Sequence, residues 1–360
     1  MSTFSRYILR VFFVQMALLM ISFTALLQVF DLLSNSLTVL GRSDGKFSGL
    51  LLYAVLRLPE IVSFLTPFVV LIATMMTLGR LERDNEILAF KASGAPYNAV
   101  LLSFLPAVLL VGVAHFLLAD QVVPRAINAM VQRDIYVDRS SKSDDEAVFI
   151  QDGRTVVEVT SVGKNGATLK DMRIYERGDT GILKQVRRAA EAHYDTKQHR
   201  WTLNDVWTTS IVPDHASQAA HNDTMVWNTT LTPAEFSNLI ELPQAMTLAK
   251  IWAFATSQDV GVRPTYFYEA WLQKRFALPM SSILMILLAA PVAHSLYRRD
   301  RGVAAGMAIG FGLGFLYFIS DGLVMSLGET GAVPPVVAAW MPILVFASVG
   351  GAWLIRLEGY

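Results

Sequence analysis

Few residues of this chain combine the type and the spacing that catalysis requires. It has no cysteine, which excludes disulfides, thiolate nucleophiles and cysteine-ligated metals. "GRSDGKF" at 41–47 is near a phosphate-binding loop, but it is one residue short and lacks the closing Ser or Thr. Neither H-E-x-x-H nor G-x-S-x-G occurs. His193 and His199, like His215 and His221, stand six residues apart. Histidines in such polar stretches generally face water, so no metal site is expected. The reading is of a chain with no catalytic residue and no cofactor of its own. The chemistry that remains is recognition.

Two stretches concentrate it. "RLERDNEILAFKASGAP" at 80–96 crowds Arg80, Glu82, Arg83, Asp84, Glu86 and Lys91 between two long apolar runs. The spacing predicts a helix over 80–93 with Glu82, Glu86 and Phe90 along one edge and Leu81, Leu88 and Ala92 along another. Gly94 suits a left-handed helix end, and Pro96 stops continuation. A helix resting on headgroups favours Lys and Arg on its polar face, so an acidic edge points instead to docking against a protein. The second stretch, "RGVAAGMAIGFGLGFLYFISDGLVMSLG", sets Gly302, Gly306, Gly310 and Gly314 four apart. Such a stripe permits close helix contact, within the chain, at a subunit interface or along a lipid-lined cleft. Phe315, Tyr317 and Phe318 then precede Asp321, an ionisable group near membrane depth and so a functional candidate. His115 is a lone histidine read as a packed helix contact. Lys274 and Arg275, beside the aromatic belt of Tyr266, Phe267, Tyr268 and Trp271, are read as snorkelling outward.

The elements that must position these residues follow from composition. Of 360 residues, 53 % are hydrophobic and 17 % charged, against about 25 % charged in soluble domains. Net charge is zero, so no nucleic-acid partner is expected. Six runs of membrane-spanning length lie at roughly 9–30, 58–79, 97–119, 271–296, 303–326 and 336–356. The first is too long for a signal-peptide core and is read as a retained span. Proline interrupts several, at Pro59 and Pro67, Pro106, and Pro279 and Pro291. Arg6, Arg10, Arg80, Arg83, Lys91, Arg298, Arg299, Arg301 and Arg356 flank the spans on one side, while "GETGAVPP" on the other has no basic residue. Both termini and the 80–96 stretch are thus expected in the cytoplasm, and region 120–265 outside it.

That region reads as a β domain. "RTVVEVTSV", "ATLKDMRIYER", "HRWTLNDVWTTSI" and "DTMVWNTT" alternate polar with apolar residues between turn formers. Trp201 and Leu203 share one face, as in antiparallel strands with one buried side. About 100 residues suffice for a sandwich. The expected fold is an α-helical membrane protein with six transmembrane helices and an inserted antiparallel β domain. Its parts are 1–119 (three spans and the 80–93 helix), 120–265 (the β domain and a connecting helix) and 266–360 (three spans).

Taken in order, these features resemble the lipopolysaccharide-export permeases LptF and LptG over essentially the whole chain. The resemblance is carried by Glu86 and Ala92-Ser93-Gly94 in "NEILAFKASG", by Pro59 and Pro67, and by Trp271 and Pro279 in "WLQKRFALP". It is carried further by Gly314, Phe315, Tyr317, Phe318 and Asp321 in "GFLYFISD", which with the C-terminal "VPPVVAAWMPILVFASVGGAWLIRL" is nearer LptG. It implies a jellyroll-like periplasmic β domain and a place in the bacterial inner membrane, in outer membrane biogenesis. It also implies a cytoplasmic ABC ATPase dimer carrying the ATP and Mg, a homologous LptF-like second permease, LptC/LptA-like periplasmic jellyroll proteins, and lipopolysaccharide as the substrate. Glu82, Glu86, Phe90, Ala92, Ser93 and Gly94 would couple to the ATPase. Pro67, Gly310, Gly314, Phe315, Tyr317, Phe318 and Asp321 would line a substrate cleft. The family's lysines at the outer end of the first span are absent; "LLQVFDLLSNS" offers Gln28, Asp31, Ser34 and Asn35 instead. Arg42 and Lys46, with Arg57 nearby, are the candidate headgroup contacts.

Two other classes compete with this reading. A membrane-anchored scaffold or sensor explains an outer binding domain but not the acidic helix. An ion-coupled transporter needs ionisable residues in several facing spans and no large β domain.

Overall fold

The computed structural model describes residues 3–43, 47–92, 94, 100, 102–133, 135–136, 148–152, 155–163, 166–178, 183–196, 198–211, 218–233, 236, 242–256, 263–297 and 302–358. It divides into two compact units, Met1–Val137 with Pro243–Thr256 and Thr265–Tyr360, and Asp138–Leu242 with Ser257–Pro264.

The first unit is helical and holds six helices long and apolar enough to cross a membrane. They are α1 (Thr3–Arg42), α2 (Phe47–Arg83), α4 (Leu105–Leu117) continuing through a π turn (Leu118–Val122) into α5 (Val123–Gln132), α7 (Thr265–Tyr297), α8 (Gly302–Glu329) and α9 (Pro335–Glu358). Two short helices, α3 (Glu86–Ala92) and α6 (Leu248–Thr256), lie beside them. Most of these helices outrun the apolar runs that reveal them, because residues beyond the hydrocarbon still form helix. The third span thus runs on to Gln132, past the boundary at 119 expected from hydropathy, and 243–256 fold with the helices. Between α8 and α9, Gly331 adopts φ +77° while Ala332 N–H reaches Leu327 O and Gly331 N–H reaches Gly328 O. This left-handed cap closes the helix end, and Pro334-Pro335 follow it.

Burial separates a hub from a periphery. In their apolar windows α2 is 72 % and α7 67 % buried, against 11 % for α1 and 22 % for α8. The core joins Ile8 and Phe12 of α1, Leu71 and Leu78 of α2, Phe104 at the N-cap of α4, Met285 of α7 and Phe346 of α9. Leu18, Ile21, Phe30 and Leu33 on α1 and Phe315 and Leu323 on α8 stay exposed, as suits surfaces turned to lipid or to another apolar chain.

The second unit carries the antiparallel β domain expected between the helical halves. Strands β1 (Val148–Asp152), β2 (Thr155–Val162), β3 (Thr168–Arg177), β4 (Leu183–Asp195), β5 (Arg200–Ser210) and β6 (Gln218–Trp227) pair in sequence order as one sheet. Its apolar face buries Val157, Val159, Leu169, Met172, Trp201, Leu203 and Val206. Phe236 closes that face, and Trp201 Nε1 donates to Leu231 O at 2.8 Å. Among the described residues this cover comes from the segment after β6, not from a second sheet. One line across the sheet breaks the alternation. Inward residues Leu169 and Met172, Ala189 and Ala192, and Leu203 and Val206 are separated by two residues instead of one. Asp171 and Asp205 take φ of +45° and +54° there, and the register continues unbroken through the line, so neighbouring strands change face together.

Candidate functional site

The charged stretch forms a joint. The helix expected over 80–93 is broken: α2 ends at Arg83 and α3 begins at Glu86. Asn85 sits at φ +58°, a conformation its short amide side chain tolerates. Its N–H reaches Glu82 O at 3.1 Å, and its carbonyl accepts from Ala89 N–H at 3.0 Å, starting α3. Glu82 therefore belongs to the end of α2 and does not share a helix edge with Glu86. Within α3, Ile87 is buried while Leu88 is 65 % exposed, so the apolar side is centred on Ile87 and not on Leu88.

Glu86 and Phe90 face the start of α1. Tyr7 Oη donates to Glu86 Oε1 at 3.0 Å, and Phe90 stacks on Phe4 with centroids 4.4 Å apart and planes 14° from parallel. Phe4, Tyr7, Glu86, Ala89 and Phe90 line a shallow groove of about 480 Å³. Ala92 is exposed, Gly94 takes φ +88° with open space around it, and Ser93 lies outside the described residues. Phe4 and Tyr7 are the partners missed in the sequence; their signal was only an aromatic pair three apart ahead of the first span.

The second candidate set lies where α2 meets α1 and α8. A Cβ on Gly314 would lie 2.7 Å from the Phe68 ring and 3.2 Å from Leu71, and one on Gly310 would lie 2.5 Å from Met75 Sδ. At these two positions the glycine stripe serves packing within the chain. Around this seam stand Phe23 of α1, Phe64 and Phe68 of α2, and Phe311 and Phe318 of α8. Phe68 and Phe311 are 4.9 Å apart, Phe64 and Phe318 5.0 Å, and Phe23 and Phe311 5.9 Å. Phe64 is 58 % exposed, so the cluster opens on the surface of the bundle. Phe315 is exposed on the same helix. Tyr317 is not brought to this face: it is buried edge-on to Phe346 of α9 at 5.5 Å. Pro67 is buried within α2.

Several charges inside the spans are held by partners within the chain. Asp321 is ion-paired with Lys274 of α7, a partner 47 residues away that does not snorkel outward. Arg275 does not snorkel either. It is 5 % exposed and donates to the carbonyls of Ala119, Gln244 and Met246. Asp120, next to that cradle, accepts from Leu248 N–H at 2.5 Å and so caps α6. Between α1 and α2, Asp31 accepts from Tyr53 Oη at 2.7 Å and Asn35 Nδ2 at 3.3 Å, with Arg57 Nε at 3.5 Å. Arg57 also pairs with Glu60. His115 Nε2 lies 3.2 Å from Ser63 Oγ, as a helix contact.

Of the headgroup candidates, Arg42 donates to Tyr136 O at 2.9 Å, Arg57 is buried among carboxylates, and Lys46 lies outside the described residues. Among the described residues no cluster of ligating side chains fits a metal ion. His193 lies beside Glu191, His199 beside Tyr194 and His221 beside Asp205, while His215 is outside the described residues.

Comparison with known proteins adds an independent line. The profile described as "Lipopolysaccharide export system permease LptF/LptG" matches residues 6–356. The lipopolysaccharide export system permease protein LptG of Escherichia coli (strain K12) is 24 % identical over 364 residues, covering 97 % of each chain. Its counterpart of the same name from Haemophilus influenzae (strain ATCC 51907 / DSM 11121 / KW20 / Rd) is 22 % identical over 302 residues, covering 81 % of each.

Proposed function

We propose that this chain, which belongs to the lipopolysaccharide export system permease family LptF/LptG, is the membrane subunit that turns the work of a separate ATPase into withdrawal of lipopolysaccharide from a bilayer. In this reading the joint faces the cytoplasm of the inner membrane and takes a dimeric ABC ATPase, which holds the ATP and Mg. A second, LptF-like permease faces the aromatic opening. The β domain lies in the periplasm and hands the glycolipid to a bridge of LptC/LptA-like domains.

The carrying observation is the joint itself. Helix α3 hangs from the buried hub helix α2 through one left-handed residue, Asn85, and is braced on α1 through Tyr7–Glu86 and Phe4–Phe90. A push on α3 reaches α1 and α2 together, and their far stretches carry Phe23, Phe64 and Phe68. Apolar rings open to the bundle surface suit acyl chains.

The test is reconstitution of the tagged chain with the proteins that co-purify in mild detergent, scoring ATP hydrolysis and lipopolysaccharide release separately. Glu86→Ala is expected to assemble and to hydrolyse ATP while releasing little glycolipid. Tyr7→Phe, which keeps the ring and loses one hydrogen bond, is expected to fall between wild type and Glu86→Ala. Normal release by Glu86→Ala removes the joint from the mechanism, and a chain that purifies with no ATPase favours the scaffold reading.

A further inference from the structure

The polar face of the β sheet contains a site that the export reading does not use. Strand register sets Glu158, Arg173, Arg188, Trp207 and His221 in one row across β2 to β6. Two guanidiniums on neighbouring strands repel unless each has its own carboxylate. Here each does. Arg173 donates to Glu158 at 3.2 Å, and Arg188 donates through Nε and Nη2 to Asp171 at 3.3 and 3.2 Å. Beside them Trp207 is 51 % exposed and lies against the His221 ring, with centroids 4.6 Å apart. His221 Nε2 is in turn 2.8 Å from Asp205 Oδ1. Asp171 and Asp205 are the two residues that the break in alternation puts in left-handed backbone. The result is a groove of about 760 Å³, within the ~300–1,000 Å³ range of small-molecule sites.

Its chemistry narrows the ligand. Lys170 pairs with Glu191, Arg173 with Glu158 and Arg188 with Asp171, so the cations are matched and a bare phosphate gains little. An acyl chain would strand the carboxylates. A neutral polyol meets both demands: its C–H face lies on an indole, and its hydroxyls both donate and accept. We infer that this face is a saccharide-binding site, with Trp207 as the platform and Arg188 and Asp171 reading hydroxyl groups. The inference rests on the export reading only for the source of the sugar, the oligosaccharide of the glycolipid being carried.

The probe is core oligosaccharide of lipopolysaccharide, freed of lipid A and phosphate, offered to the full chain in detergent and read by saturation-transfer NMR and titration. Trp207→Ala is expected to weaken binding about tenfold. Trp207→Phe is expected to retain most of it, and millimolar inorganic phosphate should not displace the sugar. Arg188→Ser gives a second reading that leaves the indole in place, and its binding is expected to fall as well. No binding, competition by phosphate, or affinity unchanged in both Trp207→Ala and Arg188→Ser overturns the site. Sugar binding in a chain that fails to export leaves the site standing. Export by a chain that binds no sugar removes the site and leaves the export reading intact.

Discussion

Replacing Arg275 with Met tests how the ends of four helical segments are tied together. The guanidinium is 5 % exposed and serves three carbonyls, those of Ala119, Gln244 and Met246. These lie in the π turn, in the 3₁₀ turn Pro243–Ala245 and two residues before α6. Met matches the aliphatic stem but donates nothing. Each orphaned buried acceptor costs roughly 1–3 kcal/mol. The low end applies here, since a carbonyl has a second lone pair and relief from burying the cation offsets part of the loss. Three acceptors at about 1 kcal/mol each give ~3 kcal/mol. Arg275→Lys keeps the charge but not the planar fork, and roughly half that loss is expected. The assay is reversible unfolding in mixed micelles followed by circular dichroism, with wild type alongside. Asp120→Asn completes a cycle, because Asp120 caps α6 at the same junction; a coupling of about 1 kcal/mol is expected. An Arg275→Met chain within about 0.5 kcal/mol of wild type would show that the cradle contributes little and refute the reasoning.

Gly314→Val places a branched side chain where the first carbon already meets Phe68 at 2.7 Å. Overpacking of ~1–3 kcal/mol and loss of glycolipid release are expected, whereas Gly312→Val, with nothing within 4 Å of its Cβ, should match wild type. Equal behaviour of the two in a thermal melt and a release assay refutes the seam. For the α1–α2 knot, Asp31→Leu alone leaves Arg57 with Glu60 as its remaining carboxylate and is expected to cost about 3 kcal/mol. Asp31→Leu with Arg57→Met should recover most of that in the same unfolding assay, and strictly additive losses would rule the pairing out.

How much of this was legible depends on the range of the interaction. Spans are written locally, as apolar runs, and Trp201 and Leu203 announce their face by simple alternation. The break in the sheet is also local: "LKDM" in β3 and "LNDV" in β5 both place two polar residues between inward ones. The joint is spelled by "DN" at 84–85, since Asn suits a left-handed residue between two helices. Helical spacing counted straight across that pair sets Glu82 and Glu86 on one edge, and the turn removes it. Pairings over long separations leave no such mark. Nothing near Lys274 specifies Asp321, and nothing around Tyr317 separates the side of α8 packed on Phe346 from the side bearing Phe318.

The locked charges also bear on what drives the chain. An ion-coupled carrier needs a group that changes its protonation or its partner during the cycle, in contact with a path for the ion. In the described spans, Asp31 and Glu60 share Arg57, Asp321 holds Lys274, and Arg275 is fixed by carbonyls. Each of these sets ties one helix to another, so moving an ion through it would first require breaking a helix contact. Locks of this kind make the hub stiff. In the proposed reading, displacement at α3 would pass through the left-handed Asn85 into α2, while the exposed apolar faces of α1 and α8 would meet lipid or a second apolar surface. In that reading the energy would enter at the joint, where the ATPase would dock.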